Sequence, residues 1–207
     1  MHHTIVCKSP VYKSATKVRK IAILFFTYAN KVCQLLQISP PIAMKLIIIG
    51  FATSYKSTVA KHLSKQLNLP LFDVDKLIEE QVSMPISQIF AEHGEVFFRE
   101  LESNIICDLA TKPTGIVSCG GGSVLSHDFP SLVGNATVLW LKVDAKTAHK
   151  RLNGVTRPLF DNLTVSELSA KIAERNPLYA KYATIELDTS GKPSKQVVDE
   201  VCKLLGI

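Results

Sequence analysis

The fold is decided by residues Leu46–Thr58, whose sequence is Leu-Ile-Ile-Ile-Gly-Phe-Ala-Thr-Ser-Tyr-Lys-Ser-Thr. Four aliphatic residues in a row predict a parallel strand that is buried on both faces. The glycine and the polar residues after it predict a short loop, and the run Val59–Leu67 is typical of a helix. A loop that leads from a buried strand into a helix directs backbone N–H groups and the helix N-terminus at an anion.

This stretch follows the pattern G-x-x-x-x-G-K-[ST] of a phosphate-binding loop at every fixed position but one. Lys56 would neutralise charge on the β- and γ-phosphates, and Ser57 would offer its hydroxyl to Mg²⁺. Tyr55 stands in place of the second glycine, and Thr53 stands where many such loops carry another one. A tyrosine in the left-handed conformation costs about 1–2 kcal/mol, so the stretch alone also allows a strand-turn-helix without nucleotide.

The basic character of the chain belongs to its first 43 residues. The chain has 207 residues and a net charge of +6, and residues 1–43 hold six Lys/Arg and no Asp or Glu. From Met44 onward, 18 basic residues balance 18 acidic ones, so the charge does not indicate nucleic-acid binding. The length predicts one α/β domain, residues 44–207, behind a basic N-terminal extension.

The extension, residues 1–43, allows three interpretations. Met44 stands directly before the strand, which favours an over-called start or a dispensable tail, whereas the basic segment and the apolar run Ile21–Ala29 are typical of an organellar or secretory targeting peptide. A structured element is the third interpretation. A nine-residue run is too short to span a bilayer, so no stable membrane association is expected. Five cysteines without metal-ligand spacing favour buried, reduced thiols in a cytoplasmic protein.

Two carboxylates lie at the end of the second predicted strand. Leu71–Asp75 is predicted to be a short strand, with Asp73 and Asp75 at its C-terminal end, which is the ligand edge of an open parallel sheet. In strand geometry these side chains point to opposite sides, so that one suits Mg²⁺ and the other suits an acceptor hydroxyl. A helix N-cap beside a solvated acid is the alternative interpretation.

A helical stretch, Lys76–Leu109, is broken at Met84-Pro85 and Gly94 and carries Arg99 and Glu102. The two charged residues are three apart on one helix face, where the carboxylate can hold the guanidinium in a fixed orientation. A guanidinium held in this way is a bidentate ligand for a substrate carboxylate. An ordinary exposed ion pair is the alternative.

The predicted strand Gly115–Cys119 leads into Gly120-Gly121-Gly122. Three glycines after a strand suit a ligand that touches the backbone, although a plain flexible turn is also open.

Further along, Asn153–Asp161 is short and irregular and carries Arg157 between two predicted helices. It suits a lid that brings this arginine over the transferring phosphate, and a surface loop with a solvated arginine is the alternative.

Two further strands, Ala136–Val143 and Ala183–Asp188, and a closing helix, Ser194–Leu205, complete the predicted architecture. Five strands alternate with helices, which predicts a parallel sheet covered by helices.

The order of these motifs closely resembles shikimate kinase. The resemblance covers about residues 44–207 and rests on the phosphate loop followed by Phe-Asp-Val-Asp, Phe-Phe-Arg-Glu-Leu-Glu, Gly-Gly-Gly, Thr-Arg-Pro-Leu and Arg-Asn-Pro-Leu-Tyr. It implies an α/β fold of the nucleoside-monophosphate-kinase type. That is a three-layer α/β/α P-loop kinase fold with a five-stranded parallel sheet, a helical substrate-binding region and a lid.

The resemblance also implies roles for individual residues. Asp75 would meet the acceptor hydroxyls of shikimate, Arg99 and Arg175 would bind its carboxylate, and the backbone of the glycine run, Gly121 above all, would contact it. Ser57 would bind Mg²⁺ directly, and Asp73 would act through water. Nucleotide binding is implied for the loop residues and for the positions that flank adenine or come from the lid: Thr53, Ser54, Tyr55, Lys56, Ser57, Thr58, Arg151, Pro193 and Arg157.

The implied reaction is ATP-dependent phosphorylation of the shikimate 3-hydroxyl, a step of chorismate and aromatic amino-acid biosynthesis, with Lys56, Asp75 and Arg157 as catalytic residues. A monomer with ATP, Mg²⁺ and a small-molecule substrate is expected. Two alternatives stay open: a silent shikimate-binding paralogue, because of Tyr55, and a kinase of the same fold for another small molecule such as gluconate.

Overall fold

The computed structural model describes residues 44–152, 160 and 163–207. These contain five strands, which are β1 (Lys45–Ile49), β2 (Leu71–Asp73), β3 (Gly115–Ser118), β4 (Thr137–Lys142) and β5 (Ile185–Asp188). The helices are α1 (Lys56–Leu67), α2 (Val74–Val82), α3 (Ile86–Ala110), α4 (Phe129–Val133), α5 (Ala145–Leu152), α6 (Val165–Tyr182) and α7 (Ser194–Leu205).

All five strands are parallel and lie in the order β2-β3-β1-β4-β5. The central strand β1 pairs with β3 on one side and β4 on the other, which is why its residues Leu46–Ile49 are fully buried. After β1 the chain runs to β2, which lies beyond β3, whereas after β3 it runs to β4, on the other side of β1. A crevice for ligands is expected where the connections from two neighbouring strands run to opposite sides in this way. The loops after β1 and β3 therefore start side by side, because Ile48 is in register with Ser118.

The helices pack their apolar faces on the sheet. The larger core cluster joins β1, β3 and β4 to α2, α3 and α6 and includes Ile47, Ile106 and Tyr179. A smaller cluster beneath the loop after β1 includes Phe51, Ala148 and Leu168. Helix α3 changes direction at Gly94, whose φ of 78° and ψ of 179° lie outside the helical region. This change of direction starts the helical segment that carries Arg99.

The sequence-based fold class is confirmed, and so is the break between α2 and α3 at Met84-Pro85. The prediction that the second strand continues through Asp75 is wrong. The strand ends at Asp73, whose side chain accepts a hydrogen bond from the backbone N–H of Lys76 at 3.5 Å and caps α2. Asp75 therefore lies in the first turn of a helix, and the strand alternation that would separate the two carboxylates does not apply.

Two short elements were not predicted: α4 and a single 3₁₀ turn, Ser123–Leu125, directly after the glycine run. The described residues include three cysteines, and all three are free thiols. Cys119 is buried, Cys202 is partly buried and Cys107 is exposed. Within the same part of the chain, no helix is long and apolar enough to cross a membrane. The extension 1–43 and Arg157 lie outside the described residues.

Candidate active site

A cavity of about 300 Å³ lies where the loops after β1 and β3 meet. It collects most of the residues that sequence analysis selects as ligand-binding: Thr53, Tyr55, Lys56, Ser57, Thr58, Asp75, Arg99, Gly120, Gly121, Gly122, Arg151 and Arg175. Ser54 is fully buried behind the loop, Asp73 caps α2, and Pro193 is exposed at the start of α7. One cavity thus joins the predicted phosphate loop to the predicted acceptor residues.

The phosphate loop, Gly50–Ser57, presents an open helix N-terminus to this cavity. Tyr55 is the N-cap of α1 but makes no side-chain capping bond, and the first turn of α1 has no acidic residue. The first N–H groups of a helix have no partner within the helix, so an uncapped end attracts anions. Lys56 adds positive charge nearby, and its Nζ donates to the carbonyl oxygen of Phe51 at 2.8 Å.

Both unusual residues of the loop have left-handed backbone conformations. Thr53 has a φ of 65° and Tyr55 a φ of 67°, values that favour glycine. The loop therefore adopts the curled backbone of its pattern although it lacks the glycines. Each such residue costs about 1–2 kcal/mol. A compensating interaction is expected near each of them.

Arg151 supplies that interaction. Its guanidinium carbon lies 3.9 Å from the centre of the Tyr55 ring, which is a close cation–π stack. A partly desolvated stack of this kind contributes about 0.5–2 kcal/mol, enough to offset the strain at Tyr55. Arg151 Nη1 also donates to the carbonyl oxygen of Thr53 at 3.0 Å, so the same side chain supports both strained residues.

Arg151 is itself held by the segment that follows β5. Its Nη1 donates to Thr189 Oγ1 at 3.1 Å, and its Nη2 donates to the carbonyl oxygens of Thr189 at 2.6 Å and Lys192 at 2.9 Å. Burial lowers the pKa of Arg151, while Tyr55 and the nearby carboxylates oppose that shift. An arginine stays charged under such conditions. Pro193 directly follows Lys192, which brings that predicted nucleotide position beside Arg151.

On the other side of the cavity, Arg99 is held by two carboxylates. Its Nη1 donates to Glu102 at 2.6 Å, and its Nε and Nη2 donate to the same oxygen of Glu95 at 3.2 and 3.0 Å. Glu102 is only 1% exposed and also accepts from Ser123 Oγ at 2.6 Å. Burial alone would lower the pKa of Arg99, but Glu102 and Glu95 raise it above its usual value. The predicted Arg99–Glu102 pair is thus confirmed as an oriented contact between a partly buried guanidinium and a buried carboxylate.

Arg175 is the second guanidinium of the cavity and is 8% exposed. It lies over the rings of Phe51 and Phe160, with centroid distances of 5.4 and 5.5 Å. Its Nη1 donates to the carbonyl oxygen of Gly121 at 3.3 Å, and the hydroxyl of the buried Tyr179 donates to the same oxygen. The guanidinium is therefore fixed between aromatic rings and the glycine run.

The glycine run is required because charged side chains approach its backbone closely. A Cβ at Gly120 would lie 2.7 Å from Glu102 Oε1 and 3.0 Å from Asp75 Oδ1. A Cβ at Gly122 would lie 2.6 Å from Arg99 Nη2. Any side chain at these two positions would displace a charged group. The run thus brings Asp75, Arg99 and Arg175 toward one point of the cavity, as a site for a small carboxylated molecule with a hydroxyl group requires.

The predicted Mg²⁺ residues lie beside the cavity. Ser57 Oγ is 3.4 Å from Ser118 Oγ, and Ser118 is in register with Asp73 on the neighbouring strand. A hydroxyl and a carboxylate are oxygen ligands that Mg²⁺ accepts, usually together with waters and substrate phosphates. Among the described residues, no cluster of three or more His, Cys, Asp or Glu could form a complete protein cage. This partial set fits Mg²⁺ bound jointly with a nucleotide.

Sequence analysis missed several residues as participants, among them Glu95, Ser118, Phe160 and Tyr179. Glu95 is four positions before Arg99 on the same helix, and the i, i+4 rule would have found it. Ser118 lies at the end of a predicted strand, next to the glycine run, which places it at the ligand edge. Tyr179 ends the motif Arg-Asn-Pro-Leu-Tyr, which was the available signal, whereas Phe160 carried no distinguishing local signal.

The fold and the cavity together define a class of protein, the P-loop kinases of small molecules. A protein-family model described as shikimate kinase matches residues 53–206. The shikimate kinase of Moorella thermoacetica is 36% identical to this chain over 163 residues, which cover 77% of this chain and 93% of that protein.

Two solved structures agree with this result. Shikimate kinase from Aquifex aeolicus has a TM-score of 0.67 and 32% identity, covering 78% of this chain and 96% of its own. Shikimate kinase from Acinetobacter baumannii in complex with shikimate has a TM-score of 0.72 at 23% identity, covering 78% and 92%, and supports the fold. The chain belongs to the shikimate kinase family.

Proposed function

We propose that this chain transfers the γ-phosphoryl group of ATP to the 3-hydroxyl of shikimate, giving shikimate 3-phosphate. Membership of the shikimate kinase family supports the substrate and the use of ATP with Mg²⁺. The observation that carries the proposal is the single cavity in which two fixed guanidinium groups and Asp75 face an uncapped helix N-terminus.

The acceptor binds through its charge and its hydroxyls. Arg99 and Arg175 bind the carboxylate, because guanidinium groups held in fixed orientations form charge-assisted hydrogen bonds with little loss of side-chain entropy. Asp75 accepts hydrogen bonds from the ring hydroxyls. The backbone of Gly120, Gly121 and Gly122 forms the floor against which the ring lies.

The nucleotide binds through the loop. The backbone N–H groups of the loop, Thr53 to Thr58, and the start of α1 surround the phosphates, and Lys56 neutralises their charge. Ser54 takes part through the backbone, because its side chain is fully buried. The adenine lies near Arg151 and Pro193. Arg157, which lies outside the described residues, approaches the phosphates from the lid.

Ser57 and Asp73 would hold Mg²⁺, the first through its hydroxyl and the second through water. The ion supplies neutralisation of the phosphate oxygens when it is bound. Ser118 supports the hydroxyl of Ser57, from which it is separated by 3.4 Å.

The residues of the chain act by positioning and by electrostatic stabilisation. Asp75 orients the 3-hydroxyl for in-line attack and accepts its proton as the bond to phosphorus forms. Lys56 and Arg157 stabilise the charge that develops on the transferring group. The predicted lid that carries Arg157 would exclude water, which would otherwise accept the phosphoryl group in place of shikimate.

The experiment is ³¹P NMR of the full-length protein incubated with ATP, Mg²⁺ and shikimate. A phosphomonoester signal coupled to the proton on carbon 3 of the ring is expected, together with ADP. Shikimate binding measured by calorimetry without product would instead favour the silent paralogue. Phosphorylation of gluconate but not shikimate would favour a kinase of another small molecule.

We further propose a monomeric enzyme that acts in the cytoplasm without stable membrane association. The phosphate loop, Asp75 and both arginines line one cavity of this chain, as an enzyme that acts as a monomer requires. Light scattering during size-exclusion chromatography tests the monomer, since a mass of twice 22.8 kDa would contradict it. Imaging of the chain with and without residues 1–43 tests its location.

A further inference from the structure

We propose that Tyr55 is a positioning residue for the nucleotide base: its ring covers one face of the Arg151 guanidinium and holds the other face ready for the base. The inference rests on the proposed function, in which the loop binds the phosphates of ATP. It assigns a role to the one residue that departs from the fixed positions of the loop pattern. By that role, the tyrosine increases nucleotide affinity instead of impairing it.

The hydrogen bonds of Arg151 use donors in the guanidinium plane and therefore do not occupy the face opposite Tyr55. The four terminal N–H donors of the guanidinium are all used, because Nη1 donates to two protein oxygens and Nη2 to two others. Such a group is poorly placed to bind phosphate oxygens, which need donors in the guanidinium plane. Stacking of a planar aromatic group requires only a face, which remains compatible with these bonds.

Tyr55 determines the orientation of that face. The ring stacks on the guanidinium at 3.9 Å, and both residues line the cavity. The left-handed φ of 67° at Tyr55 is the backbone conformation in which the ring meets Arg151. A glycine at this position would have the backbone freedom of the pattern but no ring, so Arg151 would lose its stacking partner.

The contact also links the two ends of a bound nucleotide. Tyr55 immediately precedes Lys56, and Arg151 donates to the carbonyl oxygen of Thr53 in the same loop. Phosphates bound by the loop and a base stacked on Arg151 would therefore rest on one connected unit. Loss of the ring is expected to weaken base binding while phosphate binding by the loop is retained.

The test measures equilibrium binding to the full-length protein by calorimetry, with two probes: ADP with Mg²⁺, and inorganic tripolyphosphate with Mg²⁺. The variants are Tyr55→Phe, which keeps the ring, and Tyr55→Leu, which keeps an apolar side chain at the same strained position. Arg151→Lys, which keeps the charge but loses the flat face, is the matched change on the other partner. Thermal unfolding midpoints confirm that each variant is folded.

Tyr55→Phe is expected to bind ADP within about twofold of the unmodified protein, and Tyr55→Leu about fivefold to tenfold more weakly. Arg151→Lys should weaken ADP binding similarly. Tyr55→Leu should leave tripolyphosphate binding unchanged, because that probe has no base. An equal loss for both probes would mean that Tyr55 only shapes the loop, and ADP binding by Tyr55→Leu at the unmodified strength would also overturn the inference.

The experiment separates this inference from the proposed function. If the unmodified protein binds neither probe, the loop does not take a nucleotide and both proposals fail. If it binds both probes but Tyr55→Leu shows no selective loss for ADP, only the role of Tyr55 fails. Tighter ADP binding by Tyr55→Gly than by the unmodified protein would identify the tyrosine as a defect and overturn the inference as well.

Discussion

The two sides of the cavity reach a defined geometry by different means. On the acceptor side, Arg99 is held by Glu95 and Glu102 from its own helix. On the nucleotide side, Tyr55 is held by Arg151, which is 96 positions away in the chain and is fixed in turn by residues after β5. Local sequence spacing therefore determines the geometry of the acceptor side, whereas tertiary contact determines the geometry of the nucleotide side.

The difference shows how a loop can keep its conformation after losing a glycine. The backbone at Tyr55 remains left-handed although the side chain opposes it, and the stack on Arg151 contributes an energy similar to the strain. A motif match alone would call this loop impaired. The structure shows that the departure from the motif comes with its own support.

The largest expected effect comes from Asp75→Asn on the acceptor side. The amide keeps the shape of the side chain but cannot accept the hydroxyl proton, so kcat is expected to fall by about 10²–10⁴. A coupled assay of ADP formation measures kcat. ATP binding should stay unchanged, because Asp75 belongs to the acceptor side of the cavity. Glu80→Gln, an exposed acid on the same helix, is the matched control and should retain full activity. Wild-type kcat in Asp75→Asn would remove this residue from the mechanism.

Arg175→Lys tests the carboxylate site. Lysine keeps the charge but loses the planar donors and the stacking on Phe51 and Phe160, so KM for shikimate is expected to rise by about 10- to 100-fold. KM for ATP should stay the same, and initial rates over both substrate concentrations measure the two constants. Lys181→Arg, exposed near the end of the same helix, serves as the control. A rise confined to KM for ATP would reverse the assignment of the two sides.

The glycine run offers a comparison within the acceptor side. A methyl group at Gly122 would meet the guanidinium of Arg99, whereas one at Gly121 would lie 3.4 Å from its nearest neighbour, the backbone nitrogen of Ala52. Gly122→Ala is expected to raise KM for shikimate about tenfold, and Gly121→Ala clearly less. Steady-state kinetics of both variants give the KM for shikimate and test this order of effects. Equal effects would indicate that the run serves chain flexibility and not close packing on charged groups.

The smallest expected effect comes from Glu95→Gln. The half-exposed Glu95 carboxylate occupies Nε and Nη2 of Arg99, the donors that a substrate carboxylate would use. Removing its charge should lower KM for shikimate by about two- to threefold, in line with the small energies of exposed ion pairs. Glu100→Gln, an exposed neighbour, controls for general charge effects. A higher KM would show that Glu95 orients Arg99 for the substrate instead of competing with it.

Much of the fold could be predicted because hydrophobic pattern and turn signals are local. The buried strand before the loop, the break before α3 and the glycine run at the sheet edge all followed from short stretches. The error at Asp73 and Asp75 arose because a three-residue strand passes directly into a helix, and a capping aspartate resembles the end of a longer strand. Arg157 stays a prediction, since it lies outside the described residues.

The candidate site was predictable where its residues share an element or a sheet edge. Arg99 and Glu102 followed from helix spacing, and a ligand contact at the glycine run followed from its place directly after a predicted strand. The stack of Arg151 on Tyr55 could not be predicted, because it depends on how α5 and the segment after β5 pack beside the loop. No local signal specifies that packing.

The central claim is that both sides of the cavity work together in phosphoryl transfer despite Tyr55. The most direct test is the initial rate of ADP formation by the unmodified full-length protein with ATP and Mg²⁺, with and without shikimate. We expect a rate that depends on shikimate and saturates with it. A rate that is absent, or unchanged by shikimate, in a folded protein that binds both ligands would contradict the account.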